Sequence, residues 1–301
     1  MKNYVRFTKF ILVFVFLVIL AGSVVRTTQS GMGCPDWPHC FGKLIPPLSA
    51  ADLPADYQKY LDKQNIDKVY NPFHAWTEYI NRLLTGLLGV WIFVHVIWSF
   101  KKFYRSQQNI FWWSASLLLL TAFEAWLGKI VVDSNLAVFK ITAHMLPALA
   151  IAAVPVIILN KINNAEKIEN KQLKIISTIT LILVLIQIIL GTEVRSQIDV
   201  ISQSFNYVNR ELWIGKLDNF FMMHIIFSFI VSIICIYLFW RALAYQSLHK
   251  TAICILIFVL STMFLGMIMA FLHIPAFAQP LHLLFSSLLI ISLLAYRLKI
   301  K

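Results

Sequence analysis

Apolar residues in this chain run in eight long blocks, at about 10–27, 74–100, 110–132, 138–160, 173–194, 218–243, 250–272 and 279–297. Each is close to or beyond the ~18–20 residues that cross the hydrocarbon core of a bilayer as a helix. In lipid a segment must satisfy its own backbone hydrogen bonds, so blocks of this length predict helices. The pattern therefore predicts an all-α integral membrane protein with eight transmembrane helices. One long polar segment, 26–73, separates the first two blocks. Residues 161–174, rich in Lys, Asn and Glu, separate the fourth from the fifth.

Composition agrees: the chain is 59% hydrophobic, 13% charged, with a mean hydropathy of +0.74. The net charge of +12 changes meaning once it is placed along the chain. Lys and Arg gather at 2, 6 and 9, at 101, 102 and 105, at 161, 167, 171 and 174, at 241 and 250, and at 297, 299 and 301, with Glu166 and Glu169 the only acids among them. The rest of the chain is almost neutral. That alternation is the positive-inside rule and predicts both termini in the cytoplasm. It also removes nucleic acid as a partner and leaves the lipid bilayer. The basic start, apolar core and Ala21-Gly22-Ser23 resemble a signal peptide, but the apolar core outruns the usual h-region of about 7–15 residues. The expectation is a retained first span.

The chain also repeats itself. Leu20-Ala21-Gly22-Ser23-Val24-Val25-Arg26 in span 1 parallels Leu190-Gly191-Thr192-Glu193-Val194-Arg195 in span 5. Leu127-Gly128 in span 3 is echoed by Leu265-Gly266 in span 7, Asn81-Arg82-Leu83-Leu84 by His224-Ile225-Ile226-Phe227, and Ala143-His144-Met145-Leu146 by Leu281-His282-Leu283-Leu284. Repeats of this kind build membrane bundles from related halves. The expectation is two pseudo-symmetric four-helix bundles, 1–160 with the polar loop 26–73, and 175–301, joined by a cytoplasmic linker at 161–174.

Ionisable groups inside spans are costly and mark function. His144, His224 and His282 lie at one depth near the outer ends of their spans. Two imidazoles facing across a bundle suit bis-histidine ligation of heme iron, and His224 and His282 are the natural pair. The first half breaks the symmetry, because Asn81 stands where the second half has His224. Glu78 and His74 precede Asn81 at helical spacing and share its face. His74 is either a ligand or an interfacial residue. Arg82, four residues after Glu78, is a candidate ion-pair partner, and Glu124 and Glu193 raise the same question of neutralisation. Arg26, Arg82 and Arg195 lie at similar levels and could pair with heme propionates or mark helix ends. His39, His95, His249 and His273 read as structural or solvated. Cys235 and Cys254 read as inert membrane-embedded thiols.

The polar loop holds Gly31-Met32-Gly33-Cys34-Pro35-Asp36-Trp37-Pro38-His39-Cys40-Phe41-Gly42. Cys34 and Cys40 are spaced to close a disulfide, either as a staple or as a reducible functional pair. The stretch after Ser49, with Asp52, Asp56, Asp62 and Asp67, suggests a short amphipathic surface helix. Gly86 and Gly89 would allow close helix approach in a homo-oligomer.

Arg26-Thr27-Thr28-Gln29-Ser30-Gly31-Met32-Gly33-Cys34-Pro35-Asp36-Trp37-Pro38 resembles the signature after span 1 of heme A synthases. The resemblance continues through Glu78-Tyr79-Ile80-Asn81-Arg82, Leu127-Gly128-Lys129-Ile130-Val131-Val132 and Gln279-Pro280-Leu281-His282-Leu283, across all eight spans. It implies an enzyme of the bacterial cell membrane that oxidises a methyl group of heme O to the formyl group of heme A for terminal oxidase assembly. It implies heme b held by His224 and His282, and substrate heme O on His144 and position 81, with Glu78 catalytic. It implies a Cys34–Cys40 disulfide on the outer face, a heme O synthase as supplier, an external thiol-disulfide oxidoreductase and an electron acceptor of unspecified kind. Asn81 departs from the family pattern, which has His there, and His74 is the candidate substitute on that face. Two other classes remain open: a b-type heme electron-transfer protein, and a heme transfer or insertion factor.

Overall fold

The fold is taken from a computed structural model, which describes residues 1–62, 69–133, 138–163 and 167–301. Asp67 and Glu166 lie outside the described residues. Eight helices are long and apolar enough to cross a membrane. They are α1 (Lys2–Thr27), α2 (Pro72–Phe103), α3 (Gln108–Asp133), α4 (Val138–Asn163), α5 (Lys171–Ser204), α6 (Asn219–Ala242), α7 (His249–Phe271) and α8 (Ala278–Arg297). With its apolar composition, the chain is a multi-pass membrane protein.

Several helices outrun their apolar blocks. α1 runs back to Lys2 because Tyr4 and Thr8 keep one face buried through the basic start. α5 continues to Ser204 because Val194, Ile198 and Ser202 keep one face buried beyond the apolar block. Helix starts are set by local chemistry. Asn71 accepts from the backbone N–H groups of Phe73 (3.1 Å) and His74 (3.4 Å), with Pro72 in the first turn. Asn170 and Asp218 cap α5 and α6 in the same way. α4 carries Pro147 and Pro155 inside the helix, which membrane helices tolerate when neighbours satisfy the freed carbonyls.

The chain divides into two compact units, Met1–Pro155 and Val156–Lys301. In the first, α1 packs on α2 and α2 on α3. At the end of this unit that holds the amino terminus, Tyr4 hydrogen-bonds Ser114 (3.0 Å) and Thr8 hydrogen-bonds His95 (3.0 Å), whose ring stacks on Tyr4. His95 is therefore a buried structural histidine. In the second unit α5, α6, α7 and α8 form a closed ring of neighbours, since α5 packs on α6 and on α8.

The segment between α1 and α2 has a small core of its own. Cys34 and Cys40 are joined by a disulfide and lie buried with Phe41, Leu61, Tyr70 and Ala75. Phe41 and Gly42 both have positive φ, 54° and 73°, and Cys40 and Lys43 exchange backbone hydrogen bonds across them. Two left-handed residues in succession close a tight reverse turn. The Asp36 carboxylate accepts from both of their N–H groups, at 2.7 and 2.8 Å. Burial, with Asp52 nearby, pushes the Tyr70 hydroxyl above its ordinary pKa, and that hydroxyl donates to the Pro47 carbonyl. After Ser49 the described residues form a 3-10 turn, Ala50–Asp52, held by a Ser49–Asp52 capping box, and a one-turn α-helix, Gln58–Leu61.

Candidate functional site

Four glycines, one on each alternate helix of the bundle, bring backbone against four polar side chains. A Cβ added at Gly191 of α5 would lie 3.0 Å from Cε1 of His224 on α6. One at Gly266 of α7 would lie 3.6 Å from Cε1 of His282 on α8, and one at Gly128 of α3 would lie 3.6 Å from Cε1 of His144 on α4. At Gly22 of α1 the neighbour is Asn81 Oδ1 on α2, at 3.8 Å. Each of the four side chains lies against a helix that offers no side chain at the contact. We call these the four stations; His, His, His and Asn fill them.

In the second unit the two stations face each other. The rings of His224 and His282 lie with centroids 6.4 Å apart and planes at 63°. One metal atom bound at about 2 Å to a nitrogen of each ring, with each ring centre about 1 Å further on, fits this gap. Gln187 Nε2 approaches His224 Nδ1 at 3.1 Å and donates to the His224 carbonyl at 3.0 Å. His282 Nδ1 is buried without a hydrogen-bond partner among the described residues. Two apolar-lined imidazoles at metal-spanning distance are a donor set that suits heme iron, which needs only two ligands from protein. Among the described residues no group of three or more His, Cys, Asp and Glu forms a site for a bare ion.

In the first unit His144 stands 3.4 Å, through Nδ1, from Glu124 Oε1 on α3. Asn81 Oδ1 is buried without a hydrogen-bond partner among the described residues. An apolar groove of about 320 Å³ between α1 and α2 reaches Asn81, lined by Leu17, Leu20, Val24, Thr77 and Ile80 among others. His74 sits in the first turn of α2, seven residues and so about 10 Å along the axis from Asn81. Its ring lies against Phe73.

Glu78 is 4% exposed, and its carboxylate is held from two sides. Oε2 accepts the backbone N–H of Cys34 at 2.7 Å, and Oε1 accepts Arg82 Nε at 3.0 Å. The rest of the Arg82 guanidinium donates to the carbonyls of Cys34 (2.7 Å), Asp36 (2.6 Å) and His39 (3.0 Å). The disulfide loop is thus strapped onto α2 through one ion pair. The strap is tight: a Cβ at Gly33 would sit 2.2 Å from the His74 carbonyl oxygen. The sequence suggested Arg82 as a partner of Glu78; the structure adds Cys34, whose N–H and carbonyl join the same set of hydrogen bonds.

Arg26 lies in the last turn of α1 and has contacts of its own. Arg195 pairs with Asp199 at 2.9 Å and also donates to Gln279. Cys235 is buried and Cys254 partly so. His249 bonds the Leu243 carbonyl, and His273 lies in a left-handed turn. Gln187 and the partnership of Glu124 with His144 were missed from sequence. A signal existed: each polar residue stands four before its glycine, in Glu124-Ala-Trp-Leu-Gly128 and Gln187-Ile-Ile-Leu-Gly191.

The profile of the family described as cytochrome oxidase assembly protein (COX15-CtaA) matches residues 5–294. A heme A synthase of Shewanella oneidensis is 32% identical over 136 residues, 45% of this chain and 38% of that protein. One from Geobacillus thermodenitrificans is 27% identical over 135 residues, 44% and 35% of the two chains. One from Rhizobium etli is 28% identical over 157 residues, 48% and 42%. The aligned stretches thus span about two-fifths of these relatives' own length.

Proposed function

This chain belongs to the family of cytochrome oxidase assembly proteins, and from that membership we propose that it is a heme A synthase, oxidising the methyl group of heme O to a formyl group. The observation that carries the reading is the set of four stations, three of them imidazole. His224 and His282 would hold heme b from both sides. His144 would hold the substrate heme O, with Asn81 across from it as a non-ligand; the distance of His74 along α2 supports leaving it outside the iron's coordination. We read the halves as 1–160 and 175–301 with the linker 161–174, both termini in the cytoplasm and the disulfide loop on the outer face of the bacterial cell membrane.

When bound, heme supplies the redox chemistry, and the protein supplies position, electrostatics and protons. Glu78 is the residue suited to moving a proton, being buried and aimed by two fixed donors. Propionate contact would fall to Arg26, Arg82 or Arg195, each exchanging part of its present protein contacts for the carboxylate. The Cys34–Cys40 pair sets the loop that fixes Glu78, which gives an external thiol-disulfide oxidoreductase a point of action. A heme O synthase would supply the substrate. The test is heme extracted from cells that make heme O, with and without this chain, separated by chromatography. Heme A or its hydroxylated precursor appears only with the chain. Heme O alone would favour a b-type electron-transfer protein or a heme transfer factor.

A further inference from the structure

One turn before each station glycine stands a residue of the same helix, and the four differ in kind. At His224 it is Gln187, an amide 3.1 Å from Nδ1. At His282 it is Thr262, whose hydroxyl turns back to donate to the Val259 carbonyl at 2.8 Å, leaving His282 Nδ1 without a hydrogen-bond partner among the described residues. At Asn81 it is Val18, and Asn81 Oδ1 is likewise unpartnered. At His144 alone it is a carboxylate: Glu124 Oε1 lies 3.4 Å from Nδ1, within ion-pair reach, while Nδ1 itself and Glu124 Oε2 are both buried with no hydrogen-bond partner among the described residues. The Glu124 side chain is 12% exposed, and among the described residues His144 is its one ion-pair partner. A carboxylate inside a span is too costly to stand there as packing.

We propose that Glu124 is a positioning residue for the iron at His144. With heme on His144, the Glu124 carboxylate would close the 3.4 Å gap and accept the Nδ1 hydrogen of His144. That fixes the tautomer, turns Nε2 toward the iron and makes His144 a stronger electron donor than either histidine of the second unit. Asn81, an amide, would offer that iron no imidazole, so the first unit would hold heme through His144, strengthened by Glu124, and the second through His224 and His282. The inference rests on the reading of His144 as the substrate-heme ligand.

The experiment uses the full-length protein in detergent, loaded with heme O, and reads the reduced protein by resonance Raman scattering and the potentials by optical titration. Glu124→Gln keeps the shape and removes the carboxylate. The iron–histidine stretching band of the five-coordinate heme moves to lower frequency and its midpoint potential rises, while the six-coordinate heme keeps its spectrum and reports that the protein is folded. Glu124→Ala weakens retention of the five-coordinate heme by about 10–100-fold, and Glu124→Asp recovers part of the wild-type band. Gln187→Glu does the converse and lowers the potential of the six-coordinate heme. Unchanged band and potential in Glu124→Gln overturn the proposal while the heme remains on His144. Should Glu124→Gln lose the six-coordinate spectrum by misfolding, an unchanged potential in Gln187→Glu overturns it instead. If His144→Ala keeps the same heme load and the same bands as wild type, the ligand assignment fails and the proposal falls with it.

Discussion

Glu78 of the first unit and Phe221 of the second stand at matching places, each one turn before the residue that fills its station, Asn81 or His224. Both are covered by the segment that enters their helix. Over Glu78 the cover is the disulfide loop, which reaches it directly with the Cys34 N–H and, through its carbonyls, holds Arg82 against it. Over Phe221 the cover is Trp213, packed with Val194, Ile198 and Ile274, its indole donating to the Val208 carbonyl at 3.0 Å. One frame of helices and glycines thus carries two interiors. Where the cover is aromatic and apolar, two imidazoles face each other. Where it is a strapped polar loop, a carboxylate is held in place one turn from a station with no imidazole. On the proposed function, keeping the spacing and changing the side chains would make one half a holder of heme and the other a reactor.

The largest effect expected is on the holder. His282→Ala removes one of two facing ligands, and with it the low-spin heme spectrum of the second unit and all heme A formation, read by absorption of the purified protein. A variant retaining the low-spin spectrum would break the comparison at its root.

Next is the reactor. Glu78→Gln keeps the shape and loses the proton site, so heme A formation falls by about 10²–10⁴-fold with both hemes retained. Arg82→Ala acts on the same carboxylate from the other side. Removing one partner of a buried ion pair costs about 3–5 kcal/mol, and here it also frees the loop carbonyls. Thermal denaturation measures the first effect, and faster labelling of Cys34 and Cys40 after mild reduction measures the second. Loss of stability without faster labelling would mean that the loop is held by its own core rather than by the strap.

Substituting Cys34→Ser with Cys40→Ser is a smaller change. A crosslink over so short a loop contributes about 2 kcal/mol, and Asp36 still holds the turn through Phe41 and Gly42. Melting temperature falls modestly, and activity falls further than stability because Glu78 loses a fixed donor. Equal losses would make the disulfide a staple only.

Much of this contrast was legible in the residues. Block lengths gave eight spans, and the matching of His144 with His282 and of Asn81 with His224 gave the stations in outline. The strap was not legible, because Arg82 binds main-chain carbonyls of Cys34, Asp36 and His39, and carbonyls carry no sequence signature. Nor was Glu124 legible as a partner. Its neighbour His144 is on another helix, and only the packing at Gly128 says which ring lies one turn away. Of the surface helix expected after Ser49, the described residues hold a 3-10 turn started by the Ser49–Asp52 box and a single α-helical turn at Gln58–Leu61.

Asn81→His tests whether the asymmetry is one of side chains alone. The groove beside Asn81 and the contact at Gly22, at 3.8 Å, leave room for a ring. The substrate heme then becomes six-coordinate and low-spin, with stability changed by less than about 1.5 kcal/mol. A heme that stays high-spin would show that the helices of the first unit hold position 81 too far from the iron.

The smallest expected effects lie at the glycines, and they differ between stations. An alanine at Gly22, Gly128 or Gly266 places its methyl at 3.6–3.8 Å from the neighbouring polar group, which is ordinary contact. Each should be neutral, or slightly stabilising through helix propensity, by up to about 1 kcal/mol. Gly191→Ala instead places a methyl 3.0 Å from His224 Cε1. The ring must turn by a few tenths of an ångström, and Gln187 must follow it. Low-spin heme remains bound, but its electron paramagnetic resonance g-values shift because they report the relative orientation of the two imidazoles. If Gly191→Ala and Gly266→Ala leave the same signal, the ring of His224 has slack that the 3.0 Å contact denies, and the stations would be places of close packing without control over ligand orientation.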